Sequence, residues 1–195
     1  MWVHRRLIKE MISIYGIDAD LDADHDVLVS AVRADLVDGG RLEAVLSELE
    51  RQLRAAKIDD QAIHALKNIV LELAGNIALH GTGSRSEPEL LVVSRRDFCV
   101  QVWLFGYGRP KEIERLFKII RDIGSIGGSP DRRTALFEQR NQSIMQKTEP
   151  GKLSGSGVGM LTVAALSSKP LWFKLGKTRE YSSFVLRSTV QAASA

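Results

Sequence analysis

Apolar and polar residues recur along this chain with two different periods, and the switches between them predict its elements. Between residues 41 and 58, Leu42, Val45, Leu46, Leu49 and Leu53 fall at helical spacing. Asp59 and Asp60 then offer a cap for a second helix, "QAIHALKNIVLELAGNIALH", which stops at Gly81, a suitable C′ residue. Three short β-rich runs predict strands: "VLVSAV" (27–32), "ELLVVS" (89–94) and "FCVQVWLF" (98–105), the last two joined by the turn "RRD". "KEIERLFKIIRDI" (111–123) is an amphipathic helix after Pro110, and "DRRTALFEQRNQSIMQKT" (131–148) a polar helix with few core positions. "EPGKLSGSGVGM" is a loop, and "LTVAALSS" continues a helix from its glycines. "LWFKL" and "SSFVLRSTV" predict a closing hairpin around "GKTRE". Residues 1–26 are taken as an N-terminal extension and loop, and the glycine pair at 39–40 as a break. The acidic stretch "GIDADLDADHD" (16–26) lacks a core pattern, and it lacks the ending of a calcium loop. Helices and hairpins come in separate blocks. That order predicts an α+β, two-layer sandwich with helices on one face of a mixed, mainly antiparallel sheet.

Composition narrows the reading. A chain of 195 residues with 44% hydrophobic content suits one domain spanning 1–195. The net charge of +3 is spread among 24 acidic residues, so no basic stripe points to nucleic acid. Cys99 is the single cysteine, which excludes a disulfide within the chain and a thiolate metal site. The first residues lack the apolar core of a signal peptide, and no run of about 18 apolar residues is present. The expectation is a cytoplasmic protein without a membrane partner.

Two stretches carry candidate chemistry. In "LELAGNIALHG", Glu72, Asn76 and His80 stand at i, i+4 and i+8, which stacks a carboxylate, a carboxamide and an imidazole on one helix face. "GSGVGM" (155–160) is either a hinge before a helix or an anion cradle of converging N–H groups at a helix start. It is not a dinucleotide fingerprint, because Met160 stands where the third glycine belongs. "GKT" at 176–178 is not a P-loop, since Leu171 replaces the required glycine.

The order of these motifs resembles the GHKL (Bergerat-fold) ATPase and kinase superfamily over roughly residues 27 to 190. "ELAGNIALHG" looks like its N box and "GSGVGM" like its second glycine box. Within it, SiaB-like bacterial serine/threonine kinases are the nearest branch, with RsbW and SpoIIAB anti-sigma-factor kinases as relatives. The resemblance implies ATP and Mg²⁺ as cofactors. Glu72 would be the catalytic base, and Asn76 the Mg²⁺ ligand. His80, Gly106, Gly108, Lys152, Gly155, Gly157, Gly159 and Ser183 would complete the nucleotide site, with residues 124–155 as the ATP lid. Arg132, Arg133, Arg140 and Lys147 also fall in that lid, where one or two would neutralise phosphate charge. The pattern departs from the family at Leu104, where an adenine-binding aspartate belongs. The implied substrate is a small protein, SiaC-like or anti-sigma-antagonist-like, in biofilm or cyclic-di-GMP control, and a homodimer is compatible. The rival readings are a degenerate GHKL module that sequesters a partner and, less well supported, a histidine-kinase fragment. The latter lacks a phospho-acceptor histidine on a paired helical hairpin.

Overall fold

The structure, a computed structural model, describes residues 4–17, 20–24, 26–81, 89–126, 131–146, 158–177 and 182–192. Their elements run α1 (Arg5–Tyr15), β1 (Val27–Val32), α2 (Arg33–Val37), α3 (Gly39–Ala55), α4 (Asp60–His80), β2 (Leu90–Arg96), β3 (Cys99–Gly108), α5 (Pro110–Ser125), α6 (Arg132–Gln146), α7 (Val158–Leu166), β4 (Trp172–Lys177) and β5 (Ser182–Gln191). The five strands form one sheet in the order β1-β2-β3-β5-β4. Every pairing in it is antiparallel, so the parallel component of the expected mixed sheet is missing. The α+β sandwich itself is as the block pattern predicts.

The main core lies between the sheet and helices α3, α4, α5 and α7. Helix α4 supplies the largest share, burying Ala62, Ile63, Leu66, Ile69, Val70, Leu73 and Ile77 among others. Its first turn is capped by Asp59, whose carboxylate accepts a hydrogen bond from the Ala62 N–H at 2.8 Å. Such a cap contributes about 1 kcal/mol. By length and hydropathy α4 would suffice to cross a bilayer, but its apolar face is spent on the sheet.

Three expectations need correction. Helices do not keep to one face of the sheet. Helix α1 covers the other, placing Ile8, Met11, Ile12 and Tyr15 against Leu90, Val92, Trp103, Phe105 and Val185. Each such side chain stabilises the fold by roughly 1.5–3 kcal/mol on burial. The segment after α1 is a loop, as predicted, but it has core positions: Ile17, Leu21 and Ala23 are buried under the same face. Gly39 and Gly40 do not break the chain. They open α3, behind Asp38, whose side chain accepts from the Arg41 N–H.

The strand β3 sets up the rest of the molecule. Its side chains alternate between the two faces. Trp103 and Phe105 point into the α1 core and stack with centroids 6.5 Å apart, and Tyr107 follows on the same side. Val100, Val102 and Leu104 point into the helix-covered core, and after them come Gly106 and Gly108. One side of the strand is therefore filled to its end, while the other runs out of side chains.

Candidate functional site

Where β3 runs out, a cleft opens. Its wall on one side is α4, through Asn76, Ile77 and His80, and on the other α5, through Ile113, Leu116 and Ile119. The floor is Leu104 and Leu186, with Met160 of α7 at the far end. The glycines of β3 are required by close approach rather than by backbone angle. A Cβ on Gly106 would stand 2.5 Å from the Phe184 ring, and one on Gly108 would stand 2.8 Å from Ile113 Cδ1. Phe184 stacks on Phe173 at 5.6 Å, which holds its ring over Gly106.

The polar row on α4 borders the buried face of the helix. Glu72 and Asn76 are half-buried, while His80 is exposed at the cleft mouth. Helix α7 starts against this row. A Cβ on Gly159 would meet Glu72 Oε2 at 2.6 Å and Asn76 Nδ2 at 3.8 Å. The Asn76 amide also donates to Met160 Sδ at 3.8 Å, across 84 residues of chain. Any side chain at 159 would thus displace the carboxylate. The positive dipole end of α7 sits beside Glu72, a place that favours negative charge. The sequence motifs "ELAGNIALH" and "GVGM" are therefore one site in space.

The remaining predicted residues divide. Gly106 and Gly108 line the cleft, as expected. Lys152, Gly155 and Gly157 lie outside the described residues, as does Lys147 of the predicted lid. Ser183 is not brought to the cleft. It sits on β5 beside Phe184, so its side chain points to the opposite face, where it hydrogen-bonds Tyr15. A Cβ on Gly176 would touch Ser183 Oγ at 2.6 Å and the Tyr15 ring at 3.2 Å, which places Ser183 under α1. Burial pushes the Tyr15 phenol well above its ordinary range, against the opposing pull of the Ser183 hydrogen bond. Gly81 also differs from expectation. Its φ of −66° and ψ of 137° are extended, not left-handed. It is glycine for another reason: a Cβ there would meet Arg33 Nη1 at 2.2 Å and Glu89 Oε2 at 2.3 Å.

In the predicted lid region, α6 is docked on α7. Leu136 is fully buried, and Arg140 Nε donates to Thr162 Oγ1 at 2.8 Å. Arg133 lies over the Phe137 ring at 5.8 Å, and the buried Arg132 Nη2 has no hydrogen bond among the described residues. Most of the apolar cleft lining, and with it several polar and aromatic residues, went unpredicted. Glu89 and Arg115 carry no motif, and Phe184 was legible only as part of a strand.

No protein-family model and no curated protein matches the sequence. A solved structure does match in fold: a chain in the crystal structure of the SiaB–SiaC complex from Pseudomonas aeruginosa, with a TM-score of 0.70. The two chains share this architecture. At 16% identity, the superposition covers 95% of this chain and 97% of that one. The likeness is one of fold, end to end.

The donor set around Asn76 suits a hard, hydrated cation. Among the described residues no group of three or more His, Cys, Asp or Glu side chains would chelate a metal alone. A carboxamide oxygen and one carboxylate are oxygen donors of the type a hard cation takes.

Proposed function

We propose that the protein is an ATP- and Mg²⁺-dependent serine/threonine protein kinase that phosphorylates a small partner protein in a bacterial partner-switching pathway. By resemblance to SiaB, its output would be biofilm or cyclic-di-GMP control. The observation that carries the reading is the contact of Gly159 with Glu72 and Asn76 at the edge of an apolar cleft. It joins a base, a cation-binding amide and a helix N-terminus where a triphosphate would lie. The fold match to a chain from a two-protein complex supports a protein partner.

In this reading the base of the nucleotide enters the cleft, over Leu104 and between Ile77 and Ile113. The triphosphate runs toward the start of α7, whose N–H groups hold it. Asn76 would hold Mg²⁺, which supplies charge neutralisation at the phosphates when bound. Glu72 accepts the proton of the incoming serine or threonine hydroxyl as its oxygen bonds to the γ-phosphorus and the bond to the β-phosphate oxygen breaks. ADP leaves. Gly159 keeps the helix start close enough for Glu72 and the phosphates to share one space.

The test is transfer of labelled γ-phosphate from ATP to a small candidate partner, with and without Mg²⁺. The expected result is Mg²⁺-dependent labelling that Asn76→Ala abolishes, together with weakened Mg²⁺-dependent ATP binding in that variant. Equal ATP affinity in variant and wild type, by calorimetry, counts against the role of Asn76. One observation favours a second reading, a module that binds a partner without phosphorylating it: the floor residue Leu104 offers the base no hydrogen bond. Intact partner binding with no transfer from either ATP or GTP selects that reading.

A further inference from the structure

The side chain of Asn76 has two polar ends, and only one of them can serve a cation. Its oxygen is a ligand, while its NH₂ group is a donor that a cation repels. Which end faces the phosphates is therefore a functional choice, and a residue of α7 makes it. Asn76 Nδ2 donates to Met160 Sδ at 3.8 Å. The same nitrogen is the Asn76 atom nearest to the Cβ position of Gly159, also at 3.8 Å. Two successive residues of α7 thus meet the nitrogen end. Oδ1 sits on the other arm of the planar amide, turned from the sulfur.

Chemistry holds the amide this way round. Reversed, it would set Oδ1 against the thioether, two acceptors with no proton between them. Met160 is only 5% exposed at the far end of the cleft, so little water competes for the contact. A leucine there would fill nearly the same volume and accept nothing. Met160 is also the residue that spoils the dinucleotide fingerprint in "GSGVGM", so no motif accounts for its sulfur.

We infer that Met160 is a positioning residue, whose sulfur holds the Asn76 amide so that Oδ1 is the atom presented to Mg²⁺. The inference rests on the nucleotide reading above and deepens it. It ties the cation ligand on α4 to the start of α7: the helix that would receive the phosphates also orients the group that would bind the metal. Partners that orient a metal ligand contribute to metal affinity in their own right. A thioether is a weak acceptor, so the contribution here is a modest one.

The test has two arms. The first is NMR on the wild-type chain without nucleotide or metal. The Asn76 side-chain amide, assigned by its loss in Asn76→Ala, is expected to show a nuclear Overhauser cross-peak between its Nδ2 protons and the Met160 ε-methyl group. A missing cross-peak overturns the role of Met160 and leaves the nucleotide reading standing. The second arm is calorimetry of ATP binding, with and without Mg²⁺, on the wild type and Met160→Leu. The gain in ATP affinity on adding Mg²⁺ is expected to be roughly 2–10-fold smaller in the variant, the range for one lost hydrogen bond. A side chain that only fills space would change affinity alike with and without Mg²⁺, so an unchanged gain overturns the inference. A wild type that binds no ATP, or gains nothing from Mg²⁺, overturns both readings together. The NMR arm does not depend on Met160→Leu folding.

Discussion

The two faces of the sheet are built from the same strands and do opposite things. Under α1 the face is closed. Trp103, Phe105 and Tyr107 fill it, Trp103 Nε1 donates to the buried Ser94 hydroxyl at 3.0 Å, and Arg187 lies over both Trp103 and Trp172 at 5.1 and 5.2 Å. Under α4 and α5 the face is packed as far as Leu104 and then left hollow, with glycine at each remaining cleft-facing position of β3. The polar groups differ in the same way. Those of the α1 face have partners in the protein, such as Arg187 with Asp20 at 3.0 Å. On the cleft face Glu72 and Asn76 border the start of α7 instead. Packing density is thus divided between the faces: one supplies stability, the other a place for a ligand.

This contrast can be broken in four ways. The largest effect belongs to the cleft face. Glu72→Gln keeps size and removes the charge, so phosphoryl transfer is expected to fall by roughly 10²–10⁴-fold. ATP binding survives or tightens, because the carboxylate no longer repels phosphate. Transfer near the wild-type rate would show that Glu72 only borders the helix. On the closed face, Trp103→Ala is expected to cost about 3–5 kcal/mol of stability, the range for a buried aromatic cut to alanine. Urea denaturation reads this as a lowered midpoint, and nucleotide affinity measured well below that midpoint should be unchanged.

Gly106→Ala crosses the two behaviours by putting a methyl group where the cleft face has none. It must push the Phe184 ring, and the expected cost is about 1–3 kcal/mol for overpacking. Nucleotide affinity should fall along with it, since the displaced ring lines the cleft. A variant with full stability and full affinity would show that the glycine has no packing role. The smallest effect comes from Tyr15→Phe. Near neutral pH it removes one hydrogen bond to Ser183, worth about 1 kcal/mol. Its signature is in alkali. The folded Tyr15 phenol titrates above its ordinary value of 10.0, so ionisation favours the unfolded chain. Stability is full below that pH and declines as pH rises beyond it. In the phenylalanine variant this alkaline decline should be shallower, as followed by thermal unfolding across pH.

Much of this was legible in the sequence. Strong periodicity with a cap, as in α4, and apolar runs between turn residues, as in β2 and β3, gave elements close to those observed. The pairing of Glu72 and Asn76 with Gly159 was implied by the resemblance of the motif order to the GHKL superfamily. Helix α1 was missed although its signal is present: Ile8, Met11, Ile12 and Tyr15 fall at i, i+3, i+4 and i+7, diluted by Arg5, Arg6 and Lys9. Ser183 was placed on the wrong face for a physical reason. In β5 both faces are buried, so neighbouring positions 183 to 186 are all low in exposure, and periodicity carries no parity. Glu89 could not be found as a cleft residue because it lines the cleft where the facing strand lacks a side chain. A carboxylate before an apolar run reads as a strand boundary until Gly106 is placed beside it.

The alternation along β3 also bears on how reliably the chain assembles. β3 is central, paired with β2 from Leu90 opposite Phe105 to Arg96 opposite Cys99, and with β5 from Cys99 opposite Gln191 to Gly108 opposite Ser182. A slip of one residue would exchange the faces, driving Trp103, Phe105 and Tyr107 under α4 and leaving glycines beneath α1. That exchange would set the aromatic side chains against the cleft and only Val100, Val102 and Leu104, with the glycines, beneath α1, a mismatch of volume on both faces. The unequal filling of the two sides therefore also specifies the register of the sheet, because the cleft exists in one pairing and not in its neighbour.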